Sequence, residues 1–157
     1  MRNDTIIQSI GYTLRFNSKD ITEILKLRGY SSTRNEVAAI FDNQDLEDRQ
    51  NPDCSNELLA YFLDGLIYHK RGKSDKHPPR RIKTPVTNNM VLKKLRVAFK
   101  LHEDDMHAIV EAGGISLSKH EMSALFRSTT SSNYKECGGQ VLRYFLKGLT
   151  MRFRDEE

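Results

Sequence analysis

The feature that most constrains this chain is that it nearly repeats itself. Displacing the 157 residues by 85 positions aligns 3–41 with 88–126 without a gap, and eight of those 39 positions are identical. They are Asn3/Asn88, Asp20/Asp105, Ile24/Ile109, Gly29/Gly114, Ser31/Ser116, Glu36/Glu121, Ala39/Ala124 and Phe41/Phe126. After a slip of two, an offset of 83 aligns 54–71 with 137–154, and eight of 18 positions match. Chance agreement at ordinary composition is roughly one position in seventeen. Sixteen identities in 57 aligned positions therefore describe two copies of one module. The boundaries that follow are 1–71 for the first copy, 72–87 for a linker and 88–157 for the second.

Each copy encodes the same four helices. Asn3 and Asn88 read as N-caps, followed by apolar positions at three- and four-residue steps: Ile6, Ile7, Ile10, Leu14 and Val91, Leu92, Leu95, Phe99. A second helix has Asp20 or Asp105 in its first turn, suited to the helix dipole, and ends at Gly29 or Gly114. Thr33-x-x-Glu36 and Ser118-x-x-Glu121 are capping boxes opening a third helix that buries Val37, Ile40, Phe41 and Met122, Leu125, Phe126. The fourth carries Leu59, Phe62, Leu63, Leu66 and Leu142, Phe145, Leu146, Leu149. No alternating β-branched run competes. The expected fold is all-α, with two homologous four-helix modules in tandem packed as a pseudo-twofold helical bundle.

Charge separates the linker from the modules. Residues 1–71 carry 9 basic and 11 acidic side chains, 72–87 carry 5 and 1, and 88–157 carry 11 and 9. The linker holds three of the four prolines, which remove backbone donors and restrict their predecessors, so neither helix nor strand is expected there. The longest apolar stretch, 58–68, is interrupted by Asp64 and Gly65 and is too short to span a bilayer. The first residues lack a signal peptide's apolar run, and two widely spaced cysteines do not make a disulfide framework. A cytoplasmic protein without a membrane association is the expectation.

Certain residues are shared with a known family. The repeated segments Leu59-x-Tyr61-Phe62-Leu63-x-Gly65-Leu66 and Leu142-x-Tyr144-Phe145-Leu146-x-Gly148-Leu149 resemble the YehS-like bacterial proteins, as do Lys70-Arg71-Gly72-Lys73 and the run from Asn88 to Phe99. Those proteins are two copies of a domain of unknown function. The resemblance implies a bacterial, tandem-duplicated protein, and it carries over no activity and no site residues.

The residues themselves offer few chemical constellations. Cys54 and Cys137 stand just before the fourth helix of each copy, where the helix N-terminus favours thiolate and burial opposes it. The expected outcome is a small residue packed at a helix start. His102 and His107 are five apart and miss the spacing that aligns two ligands on one helix face. Motifs for phosphate cradles, nucleophile elbows and zinc proteases do not occur. No catalytic residue, cofactor or metal is therefore assigned. Gly65 and Gly148 lie within the most apolar helix, where glycine costs about 1 kcal/mol relative to alanine. Close approach by another helix or by the partner repeat would offset that cost, the alternative being a ligand lying against the bare backbone, and Gly65, Gly148, Phe62 and Phe145 are the candidate inter-repeat packing positions. Asp64 and Lys147, equivalent and opposite in charge, would face each other across a pseudo-twofold.

The functional reading is a non-enzymatic binding or adaptor protein with a protein partner. The alternative is a nucleic-acid-binding regulator using Arg80, Arg81 and Lys83 of the linker with Lys93, Arg96 and Lys100, which fall at three- and four-residue steps on one helix. Acidic neighbours and the lack of aromatics among the linker charges weigh against that alternative.

Overall fold

A computed structural model describes residues 1–42, 52–73 and 81–154. They contain eight helices and no strand: α1 (Asn3–Leu14), α2 (Ser18–Leu27), α3 (Arg34–Asp42), α4 (Asn56–Arg71), α5 (Asn88–Ala98), α6 (Glu103–Gly113), α7 (Lys119–Ala124) and α8 (Gly139–Arg154). The chain divides into two compact units, Met1–Val86 and Thr87–Glu157, each with four helices in the same order. Residues 81–87 have neither helix nor strand.

The capping boxes form as written. Thr33 Oγ1 accepts from the Glu36 N–H at 3.1 Å while Glu36 accepts from the Thr33 N–H at 2.9 Å, and Ser118 and Glu121 exchange the same pair at 3.0 Å each. These bonds hold the Glu36 and Glu121 carboxyls below the usual glutamate range. Gly29 and Gly114 follow α2 and α6 at φ 96° and 123°, a region a side chain rarely enters.

Two local expectations need correction. Asn3 and Asn88 are not caps: the caps are Arg2 and Thr87, and each asparagine is the first helical residue. Their side-chain amides reach across the module and donate to the Cys54 and Cys137 carbonyls, both at 3.0 Å. The free amides of α1 are met from a distance by Asp53, which accepts from the Asn3 and Asp4 N–H groups at 2.7 and 2.8 Å. The helix α7 is shorter than the apolar pattern suggests, leaving Leu125 and Phe126 in turns. The cause is downstream: the Lys135 N–H takes the Ala124 carbonyl, while Ser128 and Ser131 bind nearby amides and compete with helical bonding.

Most of the stripes read from the sequence form the core, but Leu14, Phe41 and Phe126, expected there, are only partly buried. Ile6, Ile7, Ile10, Ile21, Ile24, Leu25, Val37, Ile40, Leu59, Phe62, Leu63 and Leu66 are buried in the first unit. Val91, Leu92, Leu95, Met106, Ile109, Val110, Met122, Leu125, Leu142, Phe145, Leu146 and Leu149 are buried in the second. Burying each large aliphatic or aromatic side chain contributes about 1.5–3 kcal/mol.

The most extensive packing in each unit is α2 on α4 and α6 on α8, and it explains the glycines. A Cβ built on Gly65 would run into the Ile24 carbonyl oxygen and lie 3.0 Å from its carbon; one on Gly148 would run into the Ile109 carbonyl oxygen. Ile24 and Ile109 are equivalent residues, so both copies use glycine for the same close crossing inside one module. The near neighbour is thus a helix of the same repeat. Phe62 and Phe145 are fully buried beside these positions on α4 and α8. In the second unit Gly113 of α6 also faces α8, at the Tyr144 carbonyl. Arg28 stands there in the first unit, bonded to Asp64 at 3.3 Å and lying over the Tyr61 ring at 5.6 Å. Asp64 therefore pairs within its own module.

Because the obstructing atoms are backbone, no rotamer change relieves them. Gly65→Ala and Gly148→Ala should each lower stability in urea unfolding by at least about 1–3 kcal/mol. Gly139→Ala, at an exposed position with open space around its Cα, should leave it unchanged or raise it by about 0.5–1 kcal/mol. Stabilisation by Gly65→Ala would contradict the close crossing.

Candidate functional surface

Both cysteines lie where the sequence puts them, and burial decides their chemistry. Desolvation, aided by the charges of Asp53 and Asp4, pushes the Cys54 thiol up to about 12. Desolvation alone pushes Cys137 up to about 11. The helix start does not compensate, and neither residue presents a thiolate. In the second module Asn89 fixes this region: its carbonyl accepts from the Cys137 N–H at 2.8 Å and its amide donates to the Leu125 and Lys135 carbonyls at 2.9 Å each. His107 is likewise occupied, donating from Nε2 to the Leu117 carbonyl. It lines a shallow depression of about 120 Å³ with Glu103, Asp104, Glu111, Lys119 and Met122. At the positions equivalent to Glu103, His107 and Glu111 the first module has Ser18, Thr22 and Lys26, so the depression's chemistry belongs to one copy.

The basic residues singled out in the sequence stand in different local surroundings. Arg80 lies outside the described residues. Arg81 and Lys83 are exposed ahead of α5, and Lys93 is exposed on it. Arg96 is turned inward, with Nε donating to the Leu101 carbonyl at 3.2 Å and the guanidinium over the Phe126 ring at 5.0 Å. Lys100 lies beyond the end of α5 at φ 54°, so the helical spacing that grouped it with Lys93 and Arg96 no longer applies.

What the structure brings together instead is a corner at the C-terminal end of the first helix of each module. Tyr12 and Val97 are equivalent and are 59% and 45% exposed, two of the four large apolar side chains left in solvent among the described residues. Three residues on, Arg15 and Lys100 are also equivalent, and both hold positive φ, 60° and 54°. The turns are the same: Phe16 N–H to the Gly11 carbonyl at 2.8 Å and Leu101 N–H to the Arg96 carbonyl at 2.9 Å. In the first module the Phe16 ring meets His69 edge to face at 5.5 Å, which sets the end of α1 beside the end of α4. Lys70, Arg71 and Lys73 are exposed there, with Lys73 Nζ 5.7 Å from the Tyr68 ring. In the second, Phe99 meets Phe153 at 4.8 Å, and Arg152 is bound by Asp105 at 2.7 Å. The His102 N–H, with that ion pair second, holds the Asp105 carboxyl below the usual aspartate range.

Sequence reasoning missed this corner because Arg15 and Lys100 are not identical and their backbone conformation has no sequence signature. The paired Tyr12/Val97 and Arg15/Lys100 positions in the offset of 85 were the available signal. For the thiols, alkylation by iodoacetamide at pH 8 should be at least about 100-fold slower in the folded protein than in the urea-unfolded chain. A folded rate close to that of free cysteine would contradict the burial assignment.

A family model described as "Protein of unknown function (DUF1456)" matches twice, at residues 3–72 and 88–155. The uncharacterized protein YehS of Escherichia coli (strain K12) is 40% identical over 152 residues, covering 97% of this chain and 96% of that one. No solved structure matches. Among the described residues, no helix is long and apolar enough to cross a membrane. The chain therefore belongs to the DUF1456 family and carries two tandem copies of its domain.

Proposed function

We propose that this chain is a non-enzymatic binding protein whose two modules present equivalent recognition corners, Tyr12/Arg15 and Val97/Lys100. One observation carries the reading. Among the described residues, five helix ends place a residue in the positive-φ region at or just after the last turn, and three of them, after α2, α4 and α6, use glycine. The other two use a cation. A non-glycine residue there costs roughly 1–2 kcal/mol, and a cation near an exposed helix C-terminus recovers only about 0.3–1 kcal/mol. Glycine would close the same turn more cheaply, so the basic side chain serves something other than the turn. The exposed apolar residue three positions earlier, again in both copies, gives that something a contact surface.

The regulator reading built on Lys93, Arg96 and Lys100 has less support, because Arg96 is engaged with Leu101 and Phe126. The test is capture from a lysate of the native host by the full chain and by the Arg15→Gly, Lys100→Gly variant, with nuclease-treated and untreated arms. The variant should be at least as stable as the parent in urea, since strain is relieved, and should lose components the parent retains. Identical captured sets from parent and variant would contradict the reading.

A further inference from the structure

We propose that the corner of the first module, formed by the ends of α1 and α4, binds single-stranded nucleic acid. The inference rests on the binding reading above and names its ligand class. Binding a single strand without a groove-reading element requires cations that follow phosphates and aromatic faces on which bases stack. The Phe16–His69 contact assembles both from segments more than fifty residues apart in the chain. Cations come from Arg15 after α1 and from Lys70, Arg71 and Lys73 at the end of α4, all exposed. Aromatic faces come from Tyr12, 59% exposed, and from the half-buried Tyr68, with Lys73 Nζ at 5.7 Å from its ring.

Asp20, five residues after Arg15, lies in the first turn of α2. Its carboxylate accepts from the Asn17 N–H at 2.9 Å, where it closes the helix cap. The corresponding region of the second module carries more acidic groups. Glu103, Asp104 and Asp105 open α6, and Asp105 binds Arg152. Its exposed apolar residue is Val97, which has no stacking face. The two copies thus share a backbone corner, and only the first carries the chemistry of a polyanion with bases. An acidic protein surface would use the cations alone and would gain nothing specific from the exposed Tyr12 ring.

Fluorescence anisotropy of the full chain with a labelled oligothymidylate of about 20 nucleotides is the direct test, with mixed-sequence duplex DNA and polyglutamate as competing polyanions. Four phosphate contacts predict a log–log salt slope near −3, or about a 50-fold loss of affinity between 50 and 200 mM salt. Tyr12→Ala should weaken binding at least about fivefold at unchanged slope, through lost stacking. Arg15→Gly should flatten the slope by about 0.7. Lys93→Ala, on α5 of the second unit, should change neither. Three results would overturn the proposal: no anisotropy change up to 100 µM protein at about 50 mM salt, a physiologically low ionic strength at which phosphate contacts are strongest; equal affinity for polyglutamate; or Tyr12→Ala binding like the parent. If any of these occurs while the Arg15→Gly, Lys100→Gly variant still loses captured components, the binding reading stands with another ligand. If capture is also unchanged, both fail.

Discussion

Each module depends on a helix lying directly against the backbone of another helix. Gly65 meets the Ile24 carbonyl and Gly148 meets the Ile109 carbonyl. Everything else in the module is arranged around that crossing. It draws α4 onto α2 closely enough for Arg28 to reach both Asp64 and Tyr61, and it draws α8 onto α6 closely enough for Arg152 to reach Asp105. The fourth helix then has its start tied by Asn3 or Asn88 to the first helix, through the carbonyl before the helix begins. A helix fixed at its start and at its middle has little freedom left in where its end falls, and in the first module that end meets Phe16 just after α1.

Duplication made the helices legible. Capping boxes at Thr33/Glu36 and Ser118/Glu121 are local and use residues that satisfy amides within one turn, so sequence alone places them. The same holds for the glycine ends at Gly29 and Gly114. The bonds that were not legible are those that span the module. Asparagine can cap its own helix or donate to a distant carbonyl, and nothing local tells which; at Asn3 and Asn88 the distant bond forms. Asp53 acts as a cap from fifty residues away. The glycines signalled a close approach, but the identity of the approaching helix, the one bearing Ile24 or Ile109, needed the three-dimensional packing. Lys93, Arg96 and Lys100 show the limit of spacing: helical periodicity holds only while the helix lasts, and α5 ends at Ala98.

The two copies have kept their frame and diverged in chemistry. The crossing glycines, the spanning asparagines and the positive-φ cations recur. Tyr12 against Val97, Asp4 against Asn89 and Arg28 against Gly113 do not. Asp4 is buried and bonded to Arg2 at 2.9 Å, whereas Asn89 uses donor and acceptor together and needs no counter-ion. At Tyr12/Val97 and Asp4/Asn89 the divergence falls on side chains that face solvent or fill local polar gaps, while Gly113 adds a second close approach of α6 to α8. A duplicated scaffold tolerates the divergence, because such changes leave the Gly65 and Gly148 crossings untouched.

The crossing itself is open to direct observation. In a nuclear Overhauser spectrum of the methyl-labelled full chain, the Gly65 Hα protons should give strong cross-peaks to the Ile24 γ2 methyl. The Gly148 Hα protons should give the matching cross-peaks to the Ile109 γ2 methyl, because a Cβ on either glycine would lie 3.1 Å from that methyl carbon. Finding both pairs would establish the same backbone-to-backbone packing in each module. Their absence, in a spectrum that resolves the four spin systems, would contradict the account.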